Sequence, residues 1–71
     1  MFIDSTIELR KDLPDKLAKD FIVLQKYYEE DDWLNFDIYF EAVEATVKAH
    51  YLAGKISRED LNLIFKKYGI A

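Results

Sequence analysis

Residues 33–53 carry apolar side chains on two opposite sides of a helix, and this pattern limits the folds open to the chain. At 100° per residue, one sector about 80° wide holds large side chains, namely Phe36, Phe40, Val43, Val47 and Tyr51. A second sector, about 100° wide, holds Ile38, Ala42, Ala45, Ala49, Leu52 and Ala53. A helix that is apolar on two sides is normally covered on both. The pattern therefore predicts a central helix in an all-α bundle.

Residues 14–30 are predicted to form the helix that precedes this one. Pro14 suits a helix start, because its missing N–H is harmless at the first helical position. Apolar residues then recur at steps of three and four, at Leu17, Phe21, Leu24 and Tyr28. Two aspartates end this helix, and Asp32 or Asn35 caps the central helix. Gly54 supplies a left-handed residue at its other end.

A third helix is predicted over residues 57–68. Ser57 is its N-cap, and Asp60 stands three residues later in the position of a capping box. Gly69 ends the helix, and Ile70 is placed to fold back on it in a Schellman arrangement. These signals predict a short helix joined to the central one by a tight turn.

The N-terminal residues 5–12 admit two interpretations. Ser5 and Glu8 match a capping box, which predicts a short helix. An extended arm is equally compatible with the apolar residues of the N-terminus, Phe2, Ile3, Ile7 and Leu9. Together the patterns predict a small three-helix bundle, a single helical domain of residues 1–71, with an N-terminal short helix or arm.

The chain of 71 residues contains no cysteine. This excludes a disulfide framework, a thiolate metal site and a cysteine nucleophile, and it is compatible with a reducing compartment. No apolar run approaches the ~18 residues of a membrane span, and no basic region precedes an apolar core at the N-terminus. We therefore expect a cytoplasmic protein without a membrane contact.

Metal, cofactor and catalytic chemistry have no convincing residue set. Gly54, Ile56 and Asp60 are spaced like the sixth, eighth and twelfth positions of an EF-hand loop. The earlier ligand positions, however, are occupied by Ala49, Tyr51 and Ala53. His50 is the single histidine, and no useful ligand stands three or four residues before it. We expect no metal, no cofactor and no enzymatic activity.

Charge is segregated along the chain, which has a net charge of −4. Seven acids and no base lie between residues 29 and 44, namely Glu29, Glu30, Asp31, Asp32, Asp37, Glu41 and Glu44. Such a block attracts basic surfaces and repels nucleic acid. The pattern has two interpretations. The acids are solvated at a helix end, or they form a candidate surface for a basic protein partner.

The sequence favours a small non-catalytic interaction or regulatory protein with a protein partner. The alternative is a DNA-binding module that uses helix 57–68 as its recognition helix, because basic residues surround that helix. Glu59 and Asp60 stand at its start, where a recognition helix meets base edges and phosphates. Nucleic acid is therefore the less favoured partner.

The second sector of the central helix is also a candidate self-association surface. If the first sector is covered by the other two helices, Ile38, Ala42, Ala45, Ala49 and Leu52 remain for a second copy, helped by Ile22 or Leu63. A twofold homodimer is the commonest such assembly. The monomeric alternative places the N-terminal arm across the alanine residues.

Overall fold

Three helices make up the regular structure of the chain. The structure, a computed structural model, describes residues 3–69. Helix α1 spans Asp15–Glu29, α2 spans Trp33–Leu52 and α3 spans Arg58–Lys67, and the described residues include no strand. The prediction of an all-α three-helix bundle is confirmed. Each helix is shorter than predicted by a single residue at one or both ends.

A tight link joins α1 to α2. Asp31 adopts a left-handed backbone conformation with φ 55°, which aspartate tolerates better than most residues. Asp32 is the N-cap of α2, and its Oδ1 accepts a hydrogen bond of 3.3 Å from the backbone N–H of Asn35. The chain thus reverses direction within three residues, and α1 and α2 form an antiparallel pair.

The turn between α2 and α3 follows the sequence signals. Gly54 has φ 75°, a conformation that favours glycine because it lacks a Cβ. The Ser57 Oγ accepts from the Asp60 backbone N–H at 3.0 Å, and the Asp60 Oδ2 accepts from the Ser57 N–H at 3.0 Å. The predicted capping box is therefore confirmed. Gly69 also has a positive φ, of 78°, whereas Ile70 lies outside the described residues.

The N-terminal segment is an arm rather than a short helix. The Asp4 Oδ1 accepts hydrogen bonds from the Thr6 backbone N–H at 3.0 Å and the Thr6 hydroxyl at 2.6 Å. This local turn takes the place of the capping box predicted at Ser5 and Glu8, because aspartate side chains compete with helical backbone bonds. Of the arm's apolar residues, Ile3 is buried, and Phe2 lies outside the described residues.

The arm lies against α3. The Asp4 backbone N–H donates to the Lys67 carbonyl at 2.7 Å. The Lys67 Nζ donates in return to the carbonyls of Asp4 at 3.2 Å and Ile7 at 2.8 Å. The Arg10 guanidinium reaches the Asp60 carboxylate at 3.0 Å. Both ends of α3 are thereby bound to the arm.

The core lies on one side of α2. Four of the five residues predicted to face it are buried, and Tyr51 is half-buried. The other core residues are Ile3, Leu13, Leu17, Leu24, Ile56, Ile64 and Tyr68. Helix α2 packs against both α1 and α3, so it is central as predicted, but the described residues leave one of its two apolar sides exposed. No helix within residues 3–69 combines the length and apolar character needed to cross a membrane.

Candidate functional site

The uncovered side of α2 is a continuous apolar surface. We call it the outer stripe, and it consists of Leu34, Ile38, Ala42, Ala45, Ala49 and Leu52. Its three large side chains are mostly exposed, with fractions of 72% for Leu34, 60% for Ile38 and 83% for Leu52. The three alanines are exposed as well. The six residues share one face because they recur every three or four positions, and that face points away from the core.

The arm leaves the outer stripe open. Its backbone and side-chain hydrogen bonds go to α3, at Lys67 and Asp60. Helix α3 packs on the core side of α2, where Phe40 and Tyr68 lie 6.1 Å apart between ring centroids. The monomeric arrangement in which the arm crosses the alanines is therefore not adopted by the described residues.

Leu34 extends the predicted surface by one helical turn. It stands four residues before Ile38, so the same periodicity that selected the other members includes it. Its neighbour Trp33 is partly exposed, at 43%, and contacts the Tyr28 ring edge-on at 5.7 Å. The stripe therefore runs along the whole of α2.

Two residues expected to help the outer stripe lie elsewhere. Ile22 is 70% exposed, but it stands two positions after Asp20, whose carboxylate contacts Tyr39 of α2. Two positions correspond to about 200° on a helix, so Ile22 lies on the side of α1 that faces away from α2. Leu63 lines a groove between the arm and the start of α3. Neither side chain adjoins the stripe.

The two flanks of the outer stripe differ in charge. One flank carries Asp37, Glu41, Glu44 and Lys48, and the Lys48 Nζ lies 3.2 Å from the Glu44 Oε1. The opposite flank carries the uncharged Tyr39 and Thr46 together with His50. The His50 Nδ1 lies 2.8 Å from the Thr46 carbonyl, so that ring nitrogen donates within its own helix.

The seven acids predicted as one surface fall into two groups. Glu29, Glu30, Asp31 and Asp32 lie at the link between α1 and α2, whereas the other three lie on the charged flank of the stripe. Asp32 has a structural role as the α2 N-cap. Among residues 3–69, Glu44 is the only one of the seven in an ion pair. The seven acids therefore belong to two parts of the fold, the link between α1 and α2 and one flank of α2.

Asp20 is a buried polar residue that the sequence interpretation missed. It is 2% exposed, and its Oδ1 accepts from the Tyr39 hydroxyl and the Lys16 Nζ, both at 2.8 Å. Its hydrogen bond raises the pKa of Tyr39 and that of Lys16. The Asp20 Oδ2 is buried and has no hydrogen-bond partner among residues 3–69. Its position, three residues after Leu17 on the buried stripe of α1, was the available signal.

Helix α3 presents a mixed surface. Asp60 is held by the capping box and by Arg10, and the Ser57 backbone N–H is the main cause that lowers the pKa of its carboxyl group. The Lys67 Nζ is bound to two arm carbonyls. Two of the charges at the ends of the proposed recognition helix therefore have internal partners.

Metal-binding groups do not converge in the part of the chain that the structure describes. Within residues 3–69, no three histidine, cysteine, aspartate or glutamate side chains are grouped as a metal site requires. No known protein family, curated protein or solved structure matches this chain. The case for a function therefore rests on the surfaces of the protein itself.

Proposed function

We propose that this chain is a small non-catalytic interaction protein that binds a helix of a partner protein through the outer stripe of α2. The observation that carries the proposal is the alignment of Leu34, Ile38 and Leu52, each more than half exposed, on one face of a helix. Single exposed apolar residues are ordinary. A continuous exposed apolar surface is typical of an interaction site.

The shape of the stripe favours a helical partner. The three alanines in its middle have short side chains, and small side chains let a second helix approach closely. The large side chains at both ends then enclose the approaching helix. A row of apolar anchors at steps of three and four is the usual pattern of helix recognition.

The charged flank of the outer stripe indicates which charges the partner should carry. Asp37, Glu41 and Glu44 border the stripe on one side. A partner that places basic residues along this border gains electrostatic complementarity, which improves specificity and the association rate. Nucleic acid is a poorer occupant, since phosphates are repelled by the same carboxylates.

The test uses a matched pair of variants as bait with extract of the source cell. Ala45→Glu places a charge in the middle of the stripe, where the exposed position accepts it without unfolding the chain. Ala18→Glu makes the same change at an exposed alanine of α1, well away from the stripe. We expect a protein retained by wild type and by Ala18→Glu to be reduced about tenfold or more with Ala45→Glu.

Two results would count against the proposal. Equal retention of every bound protein by both variants would show that the stripe is not the docking surface. Salt-sensitive binding of nonspecific duplex DNA that is lost in Lys66→Glu would instead support the DNA-binding role of α3. Circular dichroism of both alanine variants checks that their helices are intact.

A further inference from the structure

We infer that the occupant of the outer stripe is a helix of another protein that carries basic residues along one side and acidic residues along the other. Its basic side lies over the charged flank of α2, and its acidic side lies over a row of lysines on α1. This inference rests on the proposed function and specifies the side chains of that partner.

The lysine row borders the outer stripe on the side opposite the charged flank. It consists of Lys16, Lys19 and Lys26, which fall within about 80° of each other on α1. The Lys16 Nζ and the Tyr39 hydroxyl both donate to the Asp20 Oδ1, each at 2.8 Å. Because Tyr39 belongs to the uncharged flank of the outer stripe, the lysine row lies next to that flank.

The two borders of the outer stripe carry opposite net charges. Glu30, the C-cap of α1, stands four residues after Lys26, so the lysine row and this acid together have a net charge of +2. The charged flank has three acids and one lysine, a net charge of −2. Within residues 3–69, Lys19, Asp37 and Glu41 are exposed and form no ion pair. These charges can therefore interact with a bound protein.

A helix that lies along the outer stripe has one side over each border. Opposite charges across an interface favour association and suppress wrong partners. A helix with the same charge on both sides gains attraction at one border and meets repulsion at the other. The charges of the two borders therefore specify a helix that is basic on one side and acidic on the other.

The sizes of the side chains specify the apolar face of the partner helix. The outer stripe has large side chains towards its ends, at Leu34, Ile38 and Leu52, and three alanines between them. The distance from Leu34 to Leu52 is about 27 Å at 1.5 Å per residue, which corresponds to about five helical turns. A partner helix of that length fills the face when its large apolar residues lie over the alanines, because large side chains then meet small ones.

A second copy of α2 fits these features less well. In an antiparallel twofold pair, each border of the outer stripe faces the same border of the copy, so like charges meet. In a parallel twofold pair, the alanines face alanines while the large residues at the ends hold the two helices apart. The charges and the sizes together therefore favour a different protein.

The experiment measures binding of synthetic helical peptides to the full chain. Three tryptophan-free peptides share one apolar face and carry lysine on one side with glutamate on the other, lysine on both sides, or glutamate on both sides. Trp33, the single tryptophan of the chain, is 43% exposed and adjoins Leu34, so its fluorescence reports binding. We expect the peptide with mixed sides to bind wild type, and Ala45→Glu to weaken this binding about tenfold or more.

Two charge reversals test the borders separately. Lys19→Glu and Glu41→Lys should each weaken binding of the peptide with mixed sides about fivefold at low ionic strength. Lys19→Glu should strengthen binding of the all-lysine peptide, and Glu41→Lys that of the all-glutamate peptide, by a similar factor. The matched controls Lys66→Glu and Glu59→Lys make the same changes on α3 and should alter every affinity by less than about twofold.

The failure of this inference is distinguishable from that of the proposed function. Equal effects of the border variants and the α3 controls would overturn the inference, and the proposed function stands if Ala45→Glu still weakens peptide binding. A wild-type chain that sediments as a dimer, and as a monomer with Ala45→Glu, would overturn it in favour of a second copy. If Ala45→Glu changes neither peptide binding nor the retention of any protein from extract, both proposals are wrong.

Discussion

The contact between Asp20 and Tyr39 joins α1 to α2, and its contribution to stability can be measured by substitution. Tyr39→Phe removes the hydroxyl that donates to the Asp20 Oδ1 at 2.8 Å. Asp20 is 2% exposed, and its Oδ2 has no hydrogen-bond partner within the described part of the chain. The variant therefore leaves a buried charge with a single donor, the Lys16 Nζ.

The magnitude follows from the charge and the burial of the acceptor. A hydrogen bond to a charged group contributes about 1.5 to 3 kcal/mol. Because Tyr39 is itself half-buried, we expect the lower end of this range, about 1.5 kcal/mol. For a chain of this size that loss lowers Tm by roughly 6 to 12 °C. Urea unfolding followed by circular dichroism measures the free energy directly.

A second background isolates the contact. Asp20→Leu removes the carboxylate together with its desolvation penalty and its unpaired oxygen, so we expect stability within about 1 kcal/mol of wild type. In that background, Tyr39→Phe should cost less than about 0.5 kcal/mol, because the tyrosine no longer has a charged acceptor. An equal cost in both backgrounds would refute the reasoning, since it would show that Tyr39 acts through packing alone.

Three further outcomes are expected. Gly54→Ala should destabilise the chain by about 1 to 2 kcal/mol through backbone strain at φ 75°. A steric clash does not contribute, because a Cβ at this position meets no atom within 4 Å. Thermal unfolding measures the loss, and Gly54→Asn is the control, for which we expect a smaller loss. Burial raises the pKa of Tyr68 from 10.0 to about 12, so its contribution to stability is complete below pH 10 and is lost as the pH rises through 12. Ultraviolet titration of tyrosinate should show a group near pH 12 that Tyr68→Phe abolishes, in addition to the raised pKa of Tyr39. Titration of all tyrosines together would contradict the burial of Tyr68. Calcium or zinc at about tenfold excess should leave Tm unchanged, and a rise of several degrees would reveal a metal site at the turn between α2 and α3.

The helices were predictable because their ends are encoded locally. The side chains of Asp32 and Ser57 satisfy backbone donors within a few residues of themselves, so a short stretch of sequence carries the whole signal. The same holds for Gly54, whose positive φ follows from the turn that it makes. The core-facing side of α2 was equally predictable from the sequence, because its periodicity is set within one helix.

The arm was less predictable because its partners are distant in the sequence. Asp4 and Lys67 are 63 positions apart, and no local pattern reveals such a contact. The capping box at Ser5 and Glu8 competes with the turn made by Asp4 and Thr6, and hydrogen bonds to α3 favour the turn. Local propensity is overruled here by tertiary contacts.

The candidate site was predicted only in part, because its exposure also depends on contacts between residues that are distant in the sequence. Membership of the outer stripe depends on the helical period, and the sequence supplied five of its six residues. Whether another element covers it depends on where the arm packs, which only the three-dimensional structure shows. The direction of Ile22 was likewise not readable from α2, because the rotation of α1 is set by its contact with Tyr39.

The attachment of the arm to α3 has a consequence for how the chain opens. The pair α1 and α2 is held by contacts between residues close in sequence, whereas the arm closes a loop across nearly the whole chain. Closing a long loop costs entropy that short loops do not incur, so the arm should dock late and release first. Hydrogen exchange should therefore be slow in the α1–α2 pair and faster in the arm and the last turn of α3. The arm and this turn should open while the α1–α2 pair remains folded.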